Sequence, residues 1–81
     1  MHTRPVSNDV FRDRYLYLAK RDLLTITELS ALMEIPRKTT ELKRELGLER
    51  NEGGSYQTHI TKRTALRLAE ALHLDPVDFG L

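Results

Sequence analysis

The chain has no cysteine, no tryptophan, and only three prolines and four glycines in 81 residues. Without cysteine there is no disulfide framework and no thiolate metal site, and the composition suits a reducing compartment. No apolar run approaches the roughly 20 residues of a membrane span, or the core of a secretory signal, so a cytoplasmic protein with no membrane role is expected. Aromatic residues make up only 6%, which leaves aliphatic side chains to build most of the interior. At 40% hydrophobic and 31% charged, the chain reads as one globular domain rather than a disordered segment. A domain this small has a thin core, so its apolar residues must share a single cluster.

No charge sign dominates either. The net charge is +1, which by itself says nothing about nucleic acid. Its distribution says more. Arg37 to Arg67 holds eight basic residues against four acidic ones, a net +4, and the remainder holds five against eight, a net −3. One positive and one negative part on a small domain suit an oriented partner.

Periodicity divides the chain into short pieces. Residues 1–7 show none and read as a flexible tail. Ser7 or Asn8 can cap a helix starting near Asp9, with Phe11, Tyr15, Leu18 and Ala19 on one face up to about Arg21. "TITE" carries a capping box between Thr25 and Glu28, ahead of a short helix with Ile26, Leu29, Leu32 and Met33 inward. Pro36 disfavours a helical Ile35 and suits the first turn of a new helix, so "EIP" reads as a break of two or three residues. The next helix runs to about Leu46, where Gly47 caps it. Asn51 to Gly54 has turn composition, and alternation then puts Tyr56, Thr58 and Ile60 inward, as in a short β-hairpin over 48–60. From Thr61 the pattern is helical again, with Ala65, Leu68, Ala69 and Leu72 on one face. "DPVDF" closes the chain, with Asp75 as a cap, Pro76 in a last short helix and Phe79 turned back to the core.

A short apolar helix, a tight break and a basic helix together resemble the helix-turn-helix of DNA-binding regulators. "ITELSALMEIPRKTTELKREL" carries the resemblance over 25–46, with Leu29 and Met33 as core residues, small Ser30 at the helix approach and apolar Ile35 in the turn. Two departures stand out: Glu34 holds the place where glycine is usual, and the apolar positions of the second helix fall at Leu42 and Leu46. The hairpin looks like the wing of excisionase and MerR-like winged regulators. "TALRLAEALHLDPVDF" is instead similar to the closing helices of Cro/cI-type phage-repressor-like regulators. The resemblance implies a mainly α fold with one small β-hairpin: a compact, winged helix-turn-helix domain over 8–81, with closing helices over 61–80. It also implies double-stranded DNA as partner.

At 100° per residue, Leu42 and Leu46 mark the buried side of the second helix. Arg37, Thr40, Glu41 and Arg44 fall opposite, as the base-reading candidates, with Lys38 and Lys43 flanking them toward the backbone. Arginine can pair with guanine edges and threonine can meet a thymine methyl; Glu41 fits a groove only by accepting from cytosine or orienting an arginine. The plainer alternative is that Glu41 and Glu45 pair with nearby cations on a wet surface. Arg50 and Gln57 on the hairpin are the wing candidates. Lys62 and Arg63, at the start of the next helix, can clamp a phosphate; they can equally be plain surface.

No catalytic constellation, phosphate-binding glycine loop or metal spacing is present: His2, His59 and His73 are scattered. No enzyme, cofactor, metal or small-molecule ligand is expected. The leading expectation is a sequence-specific transcriptional regulator, such as a repressor, associated with the nucleoid of a bacterial or phage-infected cell. It would act as a homodimer on a two-fold operator, paired through "LHLDPVDFGL" or through Tyr15 or Tyr17. The rival is a protein-interaction module (adaptor, antirepressor or antitoxin) on the same scaffold. RNA binding is weaker, since paired stacking aromatics are missing.

Overall fold

Four helices and one antiparallel strand pair make up the fold in a computed structural model, which describes residues 4–34 and 38–79. In chain order these are β1 (Val6–Ser7), α1 (Asp9–Lys20), α2 (Ile26–Leu32), α3 (Thr39–Glu45), β2 (His59–Ile60) and α4 (Lys62–Ala71), then a 3₁₀ turn at Pro76–Phe79. The mainly α class with one small β pairing is as expected. Among the described residues no helix is long and apolar enough to cross a membrane.

Helix α1 turns Phe11 fully into the core and packs Tyr15 and Leu18 against it. The Thr25 capping box forms as the sequence dictates. The Glu28 N–H donates to Thr25 Oγ1 (3.2 Å) and the Thr25 N–H donates to Glu28 Oε1 (3.0 Å). Leu29 and Met33 are fully buried on α2, but Leu32 is 54% exposed, contrary to its expected inward position. At 100° per residue it sits about a quarter-turn off the line joining Leu29, Met33 and Ile26, beyond what a two-turn helix can cover.

The break between α2 and α3 is longer than expected. Helix α2 stops at Leu32 and α3 starts at Thr39, because Glu34 adopts a left-handed backbone (φ +58°) and Lys38 is extended (ψ 148°) as the N-cap. The expectations for Ile35, Pro36 and Arg37 fall outside the described residues. Glu34 occupies the glycine-like position in the left-handed region, and its carboxylate takes an ion pair from Arg67 of α4 (3.2 Å).

Gly47 closes α3 as anticipated. It has φ +78°, its N–H donates to the Arg44 carbonyl (3.0 Å), and the Leu48 N–H donates to the Lys43 carbonyl (2.9 Å). That pair of bonds is the Schellman arrangement, which needs a left-handed residue at this point. Leu42 and Leu46 are fully buried.

The hairpin is reduced to one antiparallel bridge, Arg50 to Tyr56, around a turn in which the Asn51 N–H donates to the Ser55 carbonyl (2.8 Å). The arm then leaves its neighbour, and β2 pairs with β1 instead, Val6 opposite Ile60 and Ser7 opposite His59. Two expectations change as a result. Residues 6–7 are a strand rather than part of a flexible tail, since Val6 packs on the core beside buried Ile60. Tyr56 and Thr58 are exposed rather than inward, because alternation buries side chains only where a ladder lies on a core, and here that begins at Ile60.

Helix α4 places Ala65, Leu68, Ala69 and Leu72 in the core and packs against α1. Its N-terminus is capped by Thr61, whose Oγ1 accepts from the Thr64 N–H (3.2 Å). The Arg14 Nε donates to the Leu72 carbonyl (3.3 Å), tying α1 to the carbonyl end of α4. Asp75 caps the 3₁₀ turn by accepting from the Val77 N–H (3.0 Å). The Phe79 side chain lies outside the described residues.

Candidate nucleic-acid interface

The expected reading helix is seven residues long, and its outward side is only partly open. Thr40 and Glu41 are exposed, and neither has an ion pair or hydrogen bond from its side chain among the described residues. Arg44, expected beside them, is half-buried, with its Nε enclosed and without a hydrogen-bond partner. Arg37, the fourth base-reading candidate, lies outside the described residues. Lys38 is exposed, but it caps α3 rather than belonging to it.

The flanking candidates divide by how far they are already engaged. Lys43 is half-buried and pairs with Glu49 (3.6 Å). Gln57 spends its side chain locally, its Nε2 donating to the His59 carbonyl (2.8 Å). Arg50 is exposed, with its guanidinium 5.3 Å from the centre of the Tyr56 ring, a spacing at which a cation is attracted to the aromatic face. Lys62 and Arg63 are exposed at the start of α4 with no acidic partner among the described residues. Four of the candidate cations are thus open to solvent: Lys38, Arg50, Lys62 and Arg63.

What holds these pieces together is a residue weighed only as a helix cap from the sequence. Asn8 makes no side-chain cap bond; it is fully buried. Its Nδ2 donates to the Glu45 carbonyl at the end of α3 (2.9 Å) and to the Gln57 carbonyl in the hairpin arm (2.8 Å), and its backbone N–H donates to the Thr58 carbonyl (3.0 Å). A flipped amide would set Oδ1 against both carbonyl oxygens, so the bonds themselves fix the orientation. One side chain therefore sets α1, the end of α3 and the hairpin arm relative to one another. Gly47 completes the junction: a Cβ there would lie 3.1 Å from the Gln57 carbonyl oxygen and 3.3 Å from Asn8 Nδ2. Nothing in the sequence marks Asn8 for this role, because its partners are main-chain carbonyls 37 and 49 positions away.

Comparison with known proteins adds no neighbour: the chain matches no family model, no curated protein and no solved structure. Among the described residues no three histidine, aspartate or glutamate side chains form a group that could hold a metal ion.

Proposed function

We propose that this protein is a small sequence-specific regulator that binds double-stranded DNA, with α3 in the major groove and the hairpin turn and the start of α4 against the backbone. The observation that carries the reading is the set of exposed cations without acidic partners among the described residues, Lys38, Arg50, Lys62 and Arg63, around a helix that turns Thr40 and Glu41 to solvent. Phosphate contacts of this kind position a protein on a duplex, while side chains of a short helix read base edges. The resemblance to helix-turn-helix regulators supports the same reading, as does the left-handed Glu34 at the place where such turns use glycine. In this reading the protein acts as a homodimer in the bacterial or phage-infected cytoplasm, associated with the nucleoid, and has no catalytic role.

The deciding measurement is duplex binding at two salt concentrations. Four phosphate contacts should weaken affinity by roughly a hundredfold between 50 and 200 mM monovalent salt. No binding to any duplex from a random pool at low salt would overturn the reading.

One observation favours the rival, a protein-interaction module. Glu41 is exposed on α3 and pairs with no cation among the described residues, so the helix offers a carboxylate that repels phosphate and could instead meet a basic partner surface. Glu41→Gln separates the two readings: it should change duplex affinity or base preference if α3 faces DNA, and leave duplex binding untouched while weakening capture of a basic protein partner if it does not.

A further inference from the structure

Most of α1's outward surface has no partner among the described residues. Its inner face holds Phe11, Tyr15 and Leu18. On the opposite side, Val10, Asp13, Leu16, Tyr17 and Lys20 fall within one arc of about 120° at 100° per residue. Val10 is 45% exposed, Leu16 36% and Tyr17 48%, and Leu23, just past the helix end, is 65% exposed. Asp13, Leu16, Tyr17 and Lys20 line a shallow groove together with Arg21. The other large exposed apolar side chains among the described residues, Leu32, Tyr56 and Val77, each come from a different part of the fold.

The order of chemistry along this face is complementary to its own reverse. About a point between Leu16 and Tyr17, Leu16 mirrors Tyr17 and acidic Asp13 mirrors basic Lys20. We propose that this face is the docking surface for a second copy of the chain, α1 against α1, antiparallel about a two-fold axis.

An isologous contact brings each position against its mirror position twice. Antiparallel pairing therefore sets Asp13 of each copy beside the partner's Lys20, with Leu16 and Tyr17 packed across the axis. Parallel pairing would instead set aspartate on aspartate and lysine on lysine. Both charges are open to serve. Lys20 has no ion pair among the described residues, and Asp13 has only a long contact with Arg12 (3.8 Å). The Tyr17 ring is already held, with the Arg21 guanidinium 3.7 Å from its centre, so little ordering is left for docking to impose.

This inference deepens the homodimer of the proposed regulator by naming its surface, and its test is run without DNA so that its failure leaves the DNA reading standing. Sedimentation equilibrium on the full chain should show a reversible monomer–dimer exchange, with a dissociation constant in the micromolar range expected for a small interface. Asp13→Lys and Lys20→Asp, each replacing two attractive contacts with two repulsive ones, should weaken self-association by about tenfold. An equimolar mixture of these two variants should restore it, because a mixed pair sets the two lysines of one copy against the two aspartates of the other. The double exchange in one chain should restore it as well. Both positions are exposed, and far-UV circular dichroism of each variant should match the parent. A parent that stays monomeric up to about 1 mM, far above micromolar affinity, would overturn the proposal. So would a dimer that both single variants form as well as the parent, or a mixture that associates no better than either variant alone.

Discussion

Asn8 offers the sharpest test of how this fold is held, because one of two substitutions at the site titrates and the other does not. Asn8→Ala removes both Nδ2 bonds and leaves the Glu45 and Gln57 carbonyls without that donor. Each buried carbonyl left unpaired costs about 1–3 kcal/mol, so for two of them a loss of about 2–6 kcal/mol is expected. That is a large share of the 4–12 kcal/mol or so that a domain of this length commands. With a urea m-value of about 1 kcal/mol/M, the midpoint should fall by about 2 M or more. Asn8→Asp keeps the shape and replaces the donor with an oxygen. Ionised, that oxygen is buried against two carbonyl oxygens; protonated, it can donate to one of them. Burial against two carbonyl oxygens pushes this carboxyl above its unfolded value of about 3.9. The Arg12 guanidinium opposes this, since its Nη1 lies, like Asn8 Nδ2, 3.3 Å from a Cβ at Gly47; the first effect is expected to win. In the window between the unfolded and folded values the folded state binds more protons than the unfolded one, so stability falls as pH rises through it. Urea melts followed by far-UV circular dichroism should show the Asp variant ahead of the Ala variant near pH 4 and behind it at pH 7, each taken relative to the parent at the same pH. A loss below about 1 kcal/mol for Asn8→Ala, the net worth of one ordinary hydrogen bond, would refute the clamp. So would an Asp variant whose deficit is the same at both pH values.

The other expectations are narrower. Gly47→Ala forces a Cβ into the left-handed region and to 3.1 Å from the Gln57 carbonyl, so denaturation should register a loss of about 1–2 kcal/mol or more; an unchanged midpoint would contradict the cap geometry. Glu34→Gly relieves the strain at φ +58° and gives up only an exposed pair with Arg67 worth at most about 1 kcal/mol, so stability should hold or rise slightly, and a clear loss would mean that the pair governs the connection. Thr25→Ala breaks both capping-box bonds and should cost about 1 kcal/mol, measured as a thermal shift against a Thr27→Ala control. On DNA, Lys62→Ala should lower affinity evenly across sequences and reduce the salt slope by about one, whereas a change confined to some sequences would move Lys62 from the backbone to the bases.

The sequence was legible wherever one local rule decided the outcome. Ala65, Leu68, Ala69 and Leu72 follow a 3.6-residue period over about two turns, and all are buried. Thr25, Gly47 and Asp75 each act through bonds to residues at most four positions away, so the chain's own order contains the answer. The misreadings share the opposite property. Val6–Ser7 is too short to show a period, and its partner is more than fifty positions on. Tyr56 and Thr58 alternate correctly in sequence but stand where no core lies beneath them. Leu32 has helical spacing but falls at the margin of a two-turn stripe. Of the candidate interface, the exposure of Thr40 and Glu41 could be read from Leu42 and Leu46. The half-burial of Arg44 could not, since it depends on what the rest of the fold brings against α3.

These observations also bear on where rigidity lies if the protein works on DNA. A winged reader needs its helix and its hairpin held at one relative setting, because a shift of either spoils the contacts of both. Helix α3 is short, and the hairpin has a single bridge, so neither is stiff alone. The setting is supplied from outside them, by Asn8, whose side chain bonds the end of α3 and the hairpin arm together. Asn8 lies at the foot of α1, whose outward face is the one proposed to meet a second copy. A single twelve-residue helix would then carry two alignments, of reader to wing within a chain and of chain to chain across the axis. Two-fold pairing through α1 relates the two α3 helices by the same axis, which makes a palindrome the natural target. Loosening α1 at Asn8 would disturb both alignments, whereas charge reversal at Asp13 or Lys20 would disturb only the second. The α1 variants thus separate the reading within one chain from the spacing between two.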